Sequence, residues 1–282
     1  MNKLTSAPSF CYIAPTSYIR TIEPFSTVHL VLAHLVDHDD VYASEYLRLS
    51  QLGHKIMMDN SAYELKVPYA PQRLVELAKK CGAHAVVLPD YPFQPSRHTI
   101  EAAEEFAPIF KAEGLMTFFV PQSKKGETED WITGYKWAAS HPDIDIIGHS
   151  ILGVPNALPH IDPSYARVVM TQLLIDRGIF AHGKHNHYLG LNAGPKLEIP
   201  SLLRMKALDT IDSSGPVWCA ILGHEYSANT DSYLAVNKPT MPVDFSVPLS
   251  RNAQTIDLVK HNAHLTDQLF RDTTQRVWYA EE

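Results

Sequence analysis

Short apolar runs in this chain keep ending on a polar residue or a glycine. Ile56-Met57-Met58 runs into Asp59-Asn60-Ser61, Val86-Val87-Leu88 into Pro89-Asp90, and Phe118-Phe119-Val120 into Pro121-Gln122. Ile144 to Ile147 leads to Gly148-His149-Ser150, Tyr188-Leu189 to Gly190, and Leu208 to Ile211 to Asp212-Ser213-Ser214. The stops at 59, 90, 122, 148, 190 and 212 stand 31, 32, 26, 42 and 22 residues apart. Their average is close to the ~30 residues of one strand-plus-helix unit. That period predicts an α/β chain, and the expected class is a (β/α)8 TIM barrel. Polar residues closing successive parallel strands gather on one rim, where such barrels keep their chemistry.

The intervening segments carry helix signals. Ser96 is placed to cap a helix that runs to Glu113 and ends at Gly114, and Glu127–Ser140 spaces Trp131, Tyr135 and Ala138 along one face. Residues 1–26 read as an irregular lead-in with a short strand at Phe10–Ile13. Val28–Ala33 is then the first barrel strand and Val217–Leu222 the eighth. Residues 225–250 look like loop, and Asn252–Val277 is a helical extension lying against the barrel side. The expected organisation is one domain over residues 1–282, with a core near 28–222 and a C-terminal extension over 223–282.

Composition sets the outer bounds. An apolar fraction of 45% in 282 residues supplies a large core. Cys11, Cys81 and Cys219 are far apart with no CxxC pair, which excludes a disulfide framework or a local cysteine zinc motif and fits a reducing compartment. No run of 18 apolar residues and no basic-then-apolar leader exists, so neither a membrane partner nor secretion is expected. The formal charge of −7 runs against the basic footprint of nucleic-acid binders. Lys124-Lys125, Lys184 with its neighbouring histidines, and Arg251, Lys260, Arg271 and Arg276 are the local exceptions.

Three acids, Asp59, Asp90 and Asp212, fall at strand ends. Alone, each could be a helix cap or an acceptor of loop amides; together with Gln122, Gly148 and Gly190 they suggest a site. Paired carboxylates suit glycosyl chemistry, where one stabilises or attacks an oxocarbenium-like carbon and the other manages protons. A carboxylate and a side-chain amide, as at Asp90 and Gln122, can also read the edge of a guanine. Phe93 is a candidate stacking platform. Asp209 competes with Asp212, but an odd separation puts the two on opposite strand faces. His182, His185 and His187 hold enough nitrogen for a metal, although an exposed polar loop or a phosphate contact is equally compatible with that spacing.

The ordered series Asp59-Asn60-Ser61-Ala62-Tyr63-Glu64, Leu88-Pro89-Asp90, Val120-Pro121-Gln122, Ile147 to Gly153, His187 to Gly190 and Asp209 to Ser214 resembles the tRNA-guanine transglycosylase superfamily. It looks closest to the compact DNA-guanine transglycosylases of phages and bacterial DNA-modification clusters. The resemblance implies a pentosyltransferase that exchanges guanine in DNA for a free 7-deazaguanine such as 7-cyano-7-deazaguanine. Under it Asp212 is the nucleophile and Asp59 the general acid/base. Asp90, Gln122, Gly148, His149, Ser150 and Gly190 contact the base. His149 and Ser150 depart from the smaller or apolar residues of that family. No cofactor and no structural zinc are implied; the partners are DNA and the free base, in the cytoplasm of a bacterium or of a phage's host. A homodimer stays open.

Three other readings stand beside it. A tRNA-acting transglycosylase would prefer folded tRNA to DNA. A metal-dependent barrel hydrolase would hold a metal on His182, His185 and His187. A catalytically silent nucleic-acid-binding barrel or assembly subunit would keep Asp59 and Asp212 apart, or buried against arginines.

Overall fold

All six stops lie at or just beyond the ends of parallel strands. The computed structural model describes residues 3–65, 67, 69–191, 195–227, 244–246, 249 and 251–278. Eight strands, β1 (Ser9–Tyr12), β2 (Val28–Leu32), β3 (Lys55–Asp59), β4 (Ala85–Val87), β5 (Met116–Phe119), β6 (Ile146–Gly148), β7 (His185–Tyr188) and β8 (Thr210–Ser213), close a barrel in chain order. Every pairing is parallel, and β1 closes the ring on β8 with Phe10 opposite Ile211 and Cys11 opposite Asp212. The α/β barrel expected from the rhythm is therefore present.

Among the described residues twelve α-helices accompany the strands: α1 (Ile19–Ile22), α2 (Ala33–His38), α3 (Asp40–Gln51), α4 (Ala62–Leu65), α5 (Pro71–Cys81), α6 (Ser96–Ala112), α7 (Thr128–Ser140), α8 (Gly153–Ala157), α9 (Pro163–Asp176), α10 (Pro195–Arg204), α11 (Gly215–Ile221) and α12 (Ala253–Trp278). Their limits follow local chemistry. Helix α5 starts on Pro71, whose missing N–H would be unpaired there in any case, and ends at Gly82 with φ +68°, a value that suits glycine. Its Leu74, Val75, Leu77, Ala78 and Cys81 are buried at helical spacing. Ser96 does not act as a cap: Pro95 precedes the helix, and Ser96 bonds through Oγ to Asp130 Oδ1 at 2.6 Å instead.

Two strand assignments shift. The short strand near Phe10 is the first stave of the barrel rather than part of a lead-in, so Val28–Leu32 is the second. Val217–Leu222 is not a strand; most of it is α11, with Pro216 in its first turn. A fully apolar run of six residues shows no period, so pattern alone cannot separate a buried helix from a buried strand. Of the stretch read as loop, residues 228–243, 247, 248 and 250 lie outside the described residues. Helix α12 packs on α10 and α11, and its Ala263 carbonyl accepts from Tyr12 Oη at 2.9 Å. Among the described residues no helix is long and apolar enough to cross a membrane.

Strand alternation sorts the core into two layers. Outward residues pack against the helices in two large clusters that include Trp131, Tyr135, Phe119, Tyr188 and Ile211. Inward residues Cys11, Val28, Leu30, Met57, Ala85, Val87, Phe118 and Ile146 fill the barrel with Val120 and Leu4. The inward positions of β7 and β8 break this rule, because His185, His187, Thr210 and Asp212 are polar and buried.

Candidate active site

A cavity of about 260 Å³ opens at the C-terminal rim of the barrel. Its walls are largely apolar, from Leu30, Leu32, Val87, Val120, Leu152 and Leu189, and four acids reach it: Asp59, Glu64, Asp90 and Asp212. Among its described lining residues there is no lysine, arginine or histidine. Asp59, Asp90, Phe93, Gln122, Ser150, Gly190 and Asp212, seven of the nine candidates read from the sequence, border it.

Asp59 ends β3, and Ser61 bends the chain behind it. Ser61 has φ +57°, an uncommon value for a side-chain-bearing residue. Its backbone N–H donates to Asp59 Oδ2 at 3.1 Å, and its hydroxyl bonds His34 Nδ1 at 2.9 Å. Burial, then the nearby charges of Glu64, Asp90 and Asp212, push the Asp59 carboxyl well above the ordinary range. That shift favours the protonated form. Asp90 is raised as well, chiefly by burial, although Asn60 Nδ2 at 2.8 Å and Gln122 Nε2 at 2.7 Å both donate to it and oppose that rise.

The Asp90 bond fixes the Gln122 amide: Nε2 faces the carboxylate, and Oε1 is left as a buried acceptor with no protein partner. The sequence pairs Gln122 with Asp90 as readers of a base edge; in the structure Asp90 takes up the amide NH2, and what Gln122 offers the cavity is an acceptor.

Asp212 is held from behind. Its Oδ1 accepts from Gly190 N at 2.8 Å and from His187 Nε2 at 2.9 Å. Gly190 can sit there because its φ of +75° suits glycine. The carbonyls of His149, Leu189 and Gly190 all accept from the Arg167 guanidinium, which forms a two-bond pair with Glu198 at 2.6 and 2.7 Å. Both ions are fully buried. Phe93 stands at the rim, 43% exposed, with φ +64°.

Two candidates do not border the cavity. His149 points outward from the barrel into the helix layer, where it stacks on Tyr188 at 4.4 Å and bonds Asn186 Oδ1 at 3.2 Å. Burial lowers it to about 3, so it is a neutral core ring and not a substrate contact. Gly148 faces inward but is covered: a Cβ there would lie 2.6 Å from Phe118 and 2.9 Å from Val120. Its role is to let the barrel interior close beneath the cavity.

Asp209 lies away from the cavity, paired with Lys3 at 2.8 Å and accepting from Asn186 N. The histidine trio does not assemble. His182 is exposed against Phe180, while His185 and His187 are buried in β7. Among the described residues no group of three or more His, Cys, Asp or Glu side chains is arranged to hold a metal ion.

Asn60, Thr210 and Arg167 escaped the sequence reading. Strand parity could have found Thr210, which shares the inward face with Asp212, but nothing in the sequence ties Arg167 to the rim from eighteen residues beyond His149.

No protein-family model matches this chain, and no curated protein matches it in sequence. Solved structures do match in shape. An HpcH/HpaI aldolase/citrate lyase family protein from Burkholderia cenocepacia J2315 superposes with a TM-score of 0.52 at 13% identity, over 77% of this chain and 92% of that one. The citrate synthase SbnG gives 0.50 at 14%, over 77% and 91%. A protein assigned as a fructose-1,6-biphosphate aldolase from Coccidioides immitis gives 0.54 at 10%, over 97% and 93%.

At such identities the likeness is one of fold. It nevertheless corrects the transglycosylase resemblance, since these neighbours are lyase, aldolase and synthase barrels and not transglycosylases. Base exchange in DNA or tRNA, pentosyl transfer and a 7-deazaguanine substrate fall with it. Of the other readings, the metal-dependent barrel hydrolase stands nearer to these structures, although none of the three is named a hydrolase and its histidine trio does not assemble.

Proposed function

We propose that the chain is a lyase of the aldol type, cleaving or joining a carbon–carbon bond in a small neutral hydroxy-carbonyl compound. The observation that carries this reading is one cavity holding two carboxyl groups in unlike surroundings. Asp59 is biased to stay protonated, and Asp212 is fixed as an acceptor by Gly190 and His187. Two carboxyl groups in unlike surroundings within one site can divide into acid and base.

The proton path closes on itself. Asp212 takes the proton of a hydroxyl on the carbon beyond the scissile bond. As that bond breaks, the hydroxyl carbon becomes a carbonyl. The released electron pair moves through the adjoining carbon onto the second carbonyl oxygen, which takes the Asp59 proton and forms an enol. The enol then takes the Asp212 proton at carbon and returns its own to Asp59. The Gln122 Oε1 acceptor suits a further hydroxyl or N–H of the substrate.

Charge restricts the substrate. Four acids and no cation among the described lining residues disfavour a carboxylate-bearing molecule. The printed names of the structural neighbours support lyase and aldol chemistry as a precedent on this fold, while that acidic lining argues against citrate as the substrate here.

The test is to incubate the protein in D2O with diacetone alcohol, a neutral β-hydroxyketone, and in parallel with citrate. NMR then follows cleavage and exchange of the protons next to the carbonyl. Turnover of the neutral probe is expected, falling about 10²- to 10⁴-fold in Asp212→Asn, the usual cost of losing a general base. Turnover of citrate alone, or equal rates in the variant, would overturn the proposal.

A further inference from the structure

Behind Asp212 the inward faces of β7 and β8 carry a line of polar side chains through an otherwise apolar barrel. His187 Nε2 meets Asp212 Oδ1 at 2.9 Å, His187 Nδ1 meets Thr210 Oγ1 at 2.7 Å, and His185 Nε2 meets the same Thr210 oxygen at 2.7 Å. His185, His187 and Thr210 are all fully buried, and His185 Nδ1 has no partner. These atoms admit few proton arrangements. Asp212 Oδ1 already accepts from Gly190 N–H, and as an acceptor oxygen it takes a hydrogen from His187 Nε2 as well. Thr210 has one hydrogen to give, and it stands between two imidazole nitrogens.

The charge on His187 decides between the arrangements that remain. If His187 is neutral, Thr210 donates to its Nδ1 and accepts from His185 Nε2–H, which leaves the unpartnered His185 Nδ1 as a bare lone pair. If His187 carries both hydrogens, Thr210 accepts from it and has two choices: it donates to His185, which moves the His185 hydrogen onto Nδ1 where no acceptor exists, or it accepts from both rings and leaves its own hydroxyl hydrogen without an acceptor. A buried unmet donor is disfavoured by about 1–3 kcal/mol. A doubly protonated His187 leaves one buried donor unmet in either case, and that sets the direction of the whole line.

We infer that Thr210 and His185 are positioning residues that lock His187 as a neutral Nε2–H donor to Asp212, so that a proton taken up by Asp212 is held there and returned to the cavity rather than passed into the barrel. The consequence for chemistry rests on Asp212 being the base of the proposed reaction. The hydrogen-bond direction does not, and it can be read without turnover.

Long-range 1H–15N correlation spectra of the uniformly labelled whole chain at neutral pH report the tautomer of each histidine. Both His185 and His187 should show hydrogen on Nε2 alone. In Thr210→Val, nearly the same shape, His187 Nδ1 should move toward the position of a nitrogen with a free lone pair, and Thr210→Ser should restore it. Hydrogen on His187 Nδ1 in the parent protein, or an unmoved His187 signal in Thr210→Val, would overturn the inference. The parent spectrum decides the matter even if Thr210→Val does not fold. Correct tautomers in a protein that leaves diacetone alcohol untouched would count against the reaction and not against the line.

Discussion

Arg167→Met is the perturbation whose cost can be worked most directly from the structure. Arg167 and Glu198 are both fully buried and share two bonds of 2.6 and 2.7 Å. Removing one partner of such a pair leaves the other charge buried without it and costs about 3–5 kcal/mol. The three carbonyls served by the guanidinium fare differently. His149 and Leu189 oxygens keep backbone donors, Leu189 N at 3.2 Å and Ile151 N at 2.9 Å. The Gly190 oxygen keeps none among the described residues, adding on the order of 1 kcal/mol. At about 2–4 °C per kcal/mol for a domain of this size, the melting temperature should fall by roughly 10 °C or more. Thermal unfolding followed by circular dichroism measures it. The double variant Arg167→Met, Glu198→Leu should recover most of that loss, since a buried ion pair and a packed apolar pair are often close in stability. It should not recover activity, because Gly190, whose N–H holds Asp212, is no longer anchored. A single variant within about 1 kcal/mol of the parent, or a double variant as unstable as the single, would refute the reasoning.

The Asp59 carboxyl has a raised folded pKa, so its contribution to stability is present below its ordinary value near 3.8 and lost as pH rises through the folded one. Asp59→Asn should therefore melt higher than the parent at neutral pH, with a gain that shrinks to nothing below the ordinary value; equal melting curves at every pH would contradict the burial argument. Gly190→Ala combines φ +75° with a Cβ only 2.8 Å from Ile151. It should cost more than about 1 kcal/mol in urea titrations and loosen Asp212, visible as lower kcat on the neutral probe. Asp209→Asn should leave that kcat near the parent's, because Asp209 pairs with Lys3 away from the cavity; a loss like that of Asp212→Asn would show the wrong base had been chosen.

The barrel was legible because strand ends repeat chemically: a polar stop every ~30 residues marks the rim whatever fills the helices between. Asp59, Asp90, Gln122, Gly190 and Asp212 were found by that rule and all border the cavity. His149 was misplaced by the same rule. It follows Gly148 by one residue, and one residue of strand turns a side chain from the interior to the helix layer. Ser150, one further, comes back to the cavity. The eighth strand was misplaced because Val217 to Leu222 carries no period at all. The Asp90–Gln122 bond was hidden for another reason: pairing between neighbouring strand ends depends on rotamers that no linear pattern records. The reaction was misread because ordered rim carboxylates are a solution shared by several chemistries on this fold.

The inward polar line explains why this barrel can place a carboxylate so deep. Six of the eight strands fill the interior with apolar side chains, and Gly148 lets Phe118 and Val120 close over the middle. An isolated aspartate at the top of such a core would lose its hydration with nothing to replace it. Asp212 instead rests on Gly190 N–H and His187, and His187 rests on Thr210 and His185 within the same two strands. Asp59, across the rim, has one backbone donor and three acidic neighbours. The difference between the surroundings of Asp212 and Asp59 follows from which strands carry polar side chains beneath the rim. Giving Asp59 on β3 the support that Asp212 has would therefore require rebuilding the interior beneath it, beginning with Met57, which occupies the inward position two residues below it.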